Sequence, residues 1–392
     1  MTKNSRESSF YAKTGASSSK AGVEGALARG DSANFFCDLS ADVCGNPDYY
    51  SILHADGAGT KSLIAYLAYR ETGDPKWFRS LAQDSLVMNI DDLACVNAFE
   101  SLMLSNTIGR NRRLIPDAAI GEIVAGYKDC AAQLAAQGVE IQLSGGETAD
   151  LGDLVRTLVV DSSIFARVRK SRAAAFDTCR AGDIIIGLSS TGIAKGETQV
   201  NSGVGSNGIS LVRHALIGRS YLQKYPEIFD SISPEPQHYQ GFDDIMTTRA
   251  DLGDISLANA MLSPTRSYAP LLKKLYEMFF GAIHGAVHCT GGGQTKICKF
   301  APGLAFIKDN LFPCPPLFRL IQKQMSIPWN EMYAVFNMGH RMEIIIAPSI
   351  AKDVEAVAKE FGIEARQIGQ VIKAPNDLAK LILRTPYGEF VY

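Results

Sequence analysis

His54-Ala55-Asp56-Gly57-Ala58-Gly59-Thr60-Lys61, directly after Tyr50-Ser51-Ile52-Leu53, is the stretch whose reading decides the fold. An apolar, β-prone run ends in an acid, two glycines, a hydroxyl and a lysine, and an amphipathic run follows. The pattern predicts a strand ending near His54, a tight turn, and a helix over 62–72. Glycines let backbone N–H groups approach an anion closely, and the following helix aims its N-terminus at it. Asp56 has the chemistry to hold a hard cation, and Lys61 to neutralise a phosphate. The stretch is not a Walker loop, because G-x-x-x-x-G-K-[ST] is absent. Periodicity alone equally allows a purely structural strand-turn-helix corner.

The same grammar recurs downstream. Ser144-Gly145-Gly146-Glu147-Thr148-Ala149-Asp150 follows the β-prone run 139–143, Ser206-Asn207-Gly208 opens a helical pattern, and Thr290-Gly291-Gly292-Gly293 follows another apolar run. A helical pattern over 82–98 carries Asp91-Asp92 among Leu86, Val87, Met88, Ile90, Leu93 and Ala94. Paired acids in such surroundings are costly to bury unless they are paired or bind a cation. Acids outnumber bases around these phosphate-type glycines, so metal ions are expected to supply the missing positive charge. The residues therefore point to a Mg-nucleotide site with a second anion site nearby.

The 392 residues are 46% hydrophobic and 20% charged, an ordinary globular balance. Formal net charge is −2, from 39 basic and 41 acidic residues, which favours neither nucleic acid nor an anionic membrane as partner. Eight scattered cysteines without C-x-x-C read as reduced structural thiols. The polar start, Met1–Ser9, has no leader-like core, and no apolar run approaches the ~20 residues that span a bilayer, so a cytoplasmic location is expected. Strand and helix signals alternate, giving an α+β class. The expected organisation is a flexible arm over 1–20, an N-terminal ATP-binding and dimerisation domain over 21–170, starting with a short helix and turn, and a C-terminal domain over 171–392. The Gly/Ser/Thr-rich run 189–206 reads as a functional loop or lid, and 217–259 as an inserted excursion.

The ordered set HADGAGTK, MNIDDLACVNA, SGGETADLGD, GSNGISLVR, LSPTRSYAP, HCTGGG and EMYAVFNMG resembles the phosphoribosylformylglycinamidine cyclo-ligases, also called aminoimidazole ribonucleotide synthetases. The matches are collinear from about residue 54 to 347. D-G-x-G-T-K and G-G-E-T-A occur across a wider superfamily; S-N-G-x-S-L-V-R, L-x-P-T-R-x-Y and E-M-Y-x-x-F-N are the more specific parts. The resemblance implies a two-domain fold and a homodimer whose N-terminal mixed sheets pair into a barrel, with C-terminal α/β domains outside. It implies that ATP phosphorylates the amide oxygen of formylglycinamidine ribonucleotide, after which the amidine nitrogen closes the imidazole ring.

Carried over by position, Asp56 and Asp92 would bind the Mg2+ of Mg-ATP, with Lys61, Asp92 and Glu147 as catalytic groups. Asp56, Gly57, Gly59, Thr60, Lys61, Asp91, Gly145, Gly146, Glu147 and Thr148 would line the ATP cleft. Ser206, Asn207, Gly208, Thr290, Gly291, Gly292, Gly293 and Asn337 would receive substrate and its phosphate. This chain departs from the family at Ala55, at Asp91, at Gly205 (where the family has histidine), and at Ile297-Cys298-Lys299-Phe300 (where it has Asn-Ile-Pro-Arg). His340-Arg341 replaces a small pair and is expected to supply phosphate contacts. Most departures fall on the substrate side, which leaves two alternatives: a superfamily kinase or ligase for another small substrate, and a non-catalytic nucleotide-binding subunit.

Overall fold

The computed structural model describes residues 9–16, 34–230, 232, 239–374 and 380–392. The short helix expected within 21–36 and most of the N-terminal arm lie outside these residues. The described part of the arm forms a one-turn helix, Phe10–Lys13, and the Tyr11 N–H donates to Glu331 Oε1 at 3.0 Å, so this piece packs against the C-terminal half.

Among the described residues, two large sheets form the frame. The first holds β1 (Ser40–Ala41), β2 (Tyr49–Gly57), β3 (Glu100–Arg110), β4 (Gln142–Asp150) and β5 (Leu158–Arg169), in the order β1-β2-β5-β3-β4. Only the β3–β4 pair is parallel. In β5, buried Leu158, Val160, Ser162, Ile164, Ala166 and Val168 alternate with more exposed residues, the period-2 signature of a sheet covered on one face. Helices Lys61–Thr72, Ser80–Ala94 and Asp117–Ala135 belong to this half. Every residue from Asp84 to Ala94 is buried, because the sheet lies on one side of that helix and the C-terminal half on another.

The second sheet holds β6 (Ile184–Ser189), β9 (Ile283–His288), β10 (Leu304–Lys308), β11 (His340–Ile346), β12 (Ala365–Lys373), β13 (Leu381–Thr385) and β14 (Gly388–Val391). Its order is β14-β13-β10-β12-β6-β11-β9, and every residue of β6, β9 and β11 is buried. A separate ribbon, β7 (Thr248–Arg249) with β8 (Ile255–Ser256), lies in the excursion. The longer helices of this half are Ile209–Leu216, Ala269–Phe279, Pro316–Met325 and Ala351–Glu360.

Two expectations change. The segment 144–150 is not a loop after a strand; it is the exposed edge strand β4 itself. The run 189–206 is anchored rather than swinging free. Arg266, 2% exposed, pairs with Glu197 at 2.6 Å and donates to the carbonyls of Ser189, Thr191 and Gly192, while Asn201 donates to Pro264 O at 2.8 Å. All eight cysteines are free thiols.

Candidate functional site

Strand β2 carries His54 and Asp56 to the rim where the two halves meet. The His54 Nδ1 bonds to Asn89 Oδ1 at 2.9 Å, and its Nε2 lies 3.3 Å from Asp92 Oδ2. Asn89 is fixed in turn, donating to Ser85 O at 3.0 Å and to Ser162 Oγ at 3.0 Å. From the other half, His288 at the end of β9 places Nδ1 2.7 Å from Asp92 Oδ1. Asp92 is thus the meeting point of two imidazoles from two domains. Burial alone would push its carboxyl up, but the charge of Lys296 and the bonds from His288 and His54 outweigh that and hold it well below the usual range. Burial opposes a charge on His54, yet bonding and attraction to Asp92 raise its pKa to about 9, so the ring is an imidazolium at neutral pH. His288, fully enclosed, is pushed down to about 4 despite Asp92.

Beyond His288 the chain turns through Thr290–Gly293. The Gly291 N–H donates to Asn207 Oδ1 at 3.0 Å, joining this turn to the 206–208 turn, and the Lys296 ammonium donates to the Thr290 hydroxyl at 2.7 Å. Two glycines here answer to packing. A Cβ on Gly208 (φ 75°) would lie 2.5 Å from the Phe336 ring, and one on Gly293 (φ 51°) 2.6 Å from the Phe336 and Tyr333 carbonyls. The aromatic residues of EMYAVFN thereby press both turns into place.

Several residues expected at the site stand elsewhere. Lys61 has no exposed surface; its ammonium meets Asp84 Oδ1 at 2.8 Å and Ser263 O at 2.6 Å. Asp84 also accepts from the Thr265 N–H at 2.9 Å, the Thr265 hydroxyl at 2.6 Å and the Ser206 hydroxyl at 3.2 Å. Asp91, one helical heptad on and hence on the same face, accepts from the Ser267 hydroxyl at 2.7 Å, the Tyr268 N–H at 3.0 Å and the Ala269 N–H at 3.2 Å. It therefore holds the start of the helix Ala269–Phe279. Lys61, Asp84 and Asp91 together clamp segment 263–269, and Ser206 belongs to that clamp.

Glu147 and Thr148 are not brought beside Asp56. Two strands separate β4 from β2, about 14 Å at ~4.8 Å per strand. Gly145 and Gly146 lie in that same edge strand. Asn337 spends its amide on Gly203 O at 2.8 Å, the Ser190 hydroxyl at 2.9 Å and the Gly339 N–H at 3.0 Å. The β-bulge between His340 and Met342 re-aims the expected basic pair. His340 meets Glu343 at 2.9 Å and the Phe312 ring, in a buried group with Cys289 where the Lys308 ammonium already supplies the positive charge. Arg341 is 1% exposed, donates to Arg266 O, and lies 5.3 Å over the Tyr268 ring. Neither stands open to a ligand.

The donors test the expected metal pair unevenly. Asp56 Oδ1 accepts from the Gly57 N–H at 2.7 Å and the residue stays exposed, so it retains an oxygen for a cation. Asp92 already has each oxygen on an imidazole, so a metal there would take the lone pairs that these bonds leave free. His54, His288 and Lys296 escape a reading by sequence because the first two lie 234 positions apart and become neighbours only through Asp92. A cavity of about 420 Å³ between loop 191–202 and the Pro-rich 312–317 shares no lining residue with this cluster.

The AIR synthase related protein N-terminal domain matches residues 37–168, and the C-terminal domain of the same family matches 180–380. The chain belongs to the AIR synthase family. It is 30% identical over 337 residues to a phosphoribosylformylglycinamidine cyclo-ligase of Caldicellulosiruptor saccharolyticus, covering 84% of this chain and 83% of that protein. It is 28% identical over 326 residues to the enzyme of that name from Methanocaldococcus jannaschii, covering 83% and 79%. In fold it is similar to one chain of a HypE–HypF complex, with a TM-score of 0.51 and 15% identity over 90% of this chain and 92% of that one. The family's two-domain α+β architecture is thus the architecture of this chain. Of the motifs named above, HADGAGTK and MNIDDLACVNA lie in the first half and HCTGGG and GSNGISLVR in the second, and Asp92–His288 and Thr60–Ser210 join the two.

Proposed function

We propose that this chain catalyses the ATP-dependent cyclisation of formylglycinamidine ribonucleotide to aminoimidazole ribonucleotide, with release of ADP and phosphate. The observation that carries this reading is the match to cyclo-ligases through both domains and four fifths of their length. In support, His288, just before the Thr290–Gly293 turn, bonds to Asp92, and the charge of Lys296, just after it, acts on Asp92 and Asp56. Phosphorylation converts a poor leaving group, the amide oxygen, into phosphate, so the site's work is to position two anionic ligands and balance their charge. His54 Nε2–H and Lys296 bring positive charge to the rim, and Asn89 and Asp92 orient the His54 ring. A Mg2+ ion accompanying ATP would be held by Asp56, with Asp92 beside it, and would screen the phosphates there, while Asp92 also orients the imidazoles. Cytoplasmic purine synthesis follows from the same reading, and no described helix is long and apolar enough to cross a membrane.

A homodimer belongs to the proposal as well. On the face of the first sheet away from its helices, Leu53 is 78% exposed and aligns with Phe165, which aligns in turn with Met103, 42% exposed. A second copy would cover that row by face-to-face sheet packing. A second functional reading, an AIR synthase relative acting on another small substrate, is favoured by Gly205 and by the 297–300 segment. Complementation of a purine auxotroph lacking the cyclo-ligase separates the two. Growth is expected; no growth from a folded, ATP-binding protein would favour the second reading.

A further inference from the structure

Lys61 cannot meet a phosphate without leaving Asp84 and Ser263, and Arg341 is enclosed against Arg266 and Tyr268. Lys296 is placed differently. Its ammonium rests on the Thr290 hydroxyl at 2.7 Å and lies 4.6 Å from the centre of the Phe36 ring, and both of these partners are neutral. Its charge reaches Asp92 and Asp56 across the domain junction without taking either as an ion-pair partner. The side chain is half-buried, so a ligand at the rim can approach it.

The backbone that delivers this side chain is braced. Gly292 and Gly293 turn the chain into the short 3-10 helix Gly293–Lys299. Beneath it, Gln294 donates to Asn337 O at 2.6 Å, and its own carbonyl accepts from Lys308 at 2.9 Å. In the sequence, Lys296 and Lys299 both follow T-G-G-G, and of the two it is Lys296 whose charge acts on Asp92 and Asp56.

We propose that Lys296 is this chain's phosphate-binding lysine: its ammonium, between the Asp56–Asp92 rim and the Thr290–Gly293 turn, receives a phosphate group of the ligand bound there. The assignment rests on the nucleotide reading above for its main ligand, the ATP polyphosphate; the phosphate monoester of a ribosyl substrate offers the same chemistry. A lysine–phosphate contact is a charge-assisted hydrogen bond, and its loss costs roughly tenfold or more in affinity.

Calorimetric titration of the full-length wild type, Lys296→Met and Lys296→Arg tests this, with a non-hydrolysable ATP analogue, adenosine and ribose 5-phosphate as probes. Lys296→Met is expected to bind the ATP analogue at least roughly tenfold more weakly while binding adenosine like the wild type, and Lys296→Arg to retain most of the affinity. Loss confined to ribose 5-phosphate would keep Lys296 as the phosphate lysine and move it to the substrate. Unchanged binding of both phosphorylated probes by Lys296→Met would overturn the assignment. A wild type that binds no ATP analogue would break the nucleotide reading instead, leaving Lys296 to stand or fall on the ribose 5-phosphate titration.

Discussion

Two charged assemblies flank the helix Ser80–Ala94, and they differ in what their charges face. In the clamp, Lys61, Asp84 and Asp91 have no exposed surface and spend their bonds on segment 263–269 of the other domain. In the rim cluster, Asp92 pairs with His54 and, across the same domain boundary, with His288, while Lys296 stands by on the Thr290 hydroxyl, and His54 and Lys296 remain half-exposed. Asp91 and Asp92 are neighbours in sequence and about 100° apart around the helix, which sends one to each assembly. A charged residue in a ligand-binding motif is therefore assigned by what it faces, and the same motif contributes Asp56 to the rim and Lys61 to the clamp.

The largest expected effect breaks the clamp. Lys61→Met leaves Asp84 buried and uncompensated, so unfolding free energy should fall by about 3–5 kcal/mol in urea titration. A stable Lys61→Met with weakened nucleotide binding would return Lys61 to the phosphates. Next comes the Lys308–Glu343 pair beneath the glycine turn. Burial would raise Glu343, but Lys308 and His340 outweigh it and hold its carboxyl at about 2. A folded value below the unfolded ~4.3 means stability that is present above that pH and is lost as pH falls towards 2. Glu343→Gln should cost about 3 kcal/mol at pH 7 and flatten the acid limb of the stability profile; an unchanged acid limb would contradict the pairing.

Asp91→Ala removes three bonds at the start of helix Ala269–Phe279 and should cost about 2 kcal/mol, with ATP affinity kept in the fraction that folds. A selective loss of ATP affinity would put Asp91 back in the cleft. The smallest effect on stability belongs to His54→Gln, about 1.5 kcal/mol by thermal melt, because the charge-assisted contact to Asp92 is lost while Asp92 keeps its bond from His288. Turnover should nevertheless fall roughly ten- to a hundredfold. Full turnover in that variant would detach the rim cluster from the chemistry.

The strand-turn-helix at 49–72 was legible because local periodicity and a glycine-punctuated turn agree. The helix with Asp91-Asp92 was legible from its apolar surroundings, and the family from seven collinear motifs. What sequence reading missed is non-local. Whether Lys61 is free depends on Ser263 and Asp84, and the separation of Glu147 from Asp56 depends on strand order in a sheet. Gly208 and Gly293 carry an anion-site grammar, but their neighbour is Phe336, which a spacing rule does not reveal. His54 sat inside the opening motif, and only Asn89 and Asp92 beside it give the ring a role.

The most direct measurement is ADP release by the purified protein with Mg-ATP, with and without formylglycinamidine ribonucleotide. ADP formed only with that substrate, in step with a diazotisable aminoimidazole product, is the expected result. ATP bound but no ADP released above the substrate-free rate would contradict the cyclo-ligase reading.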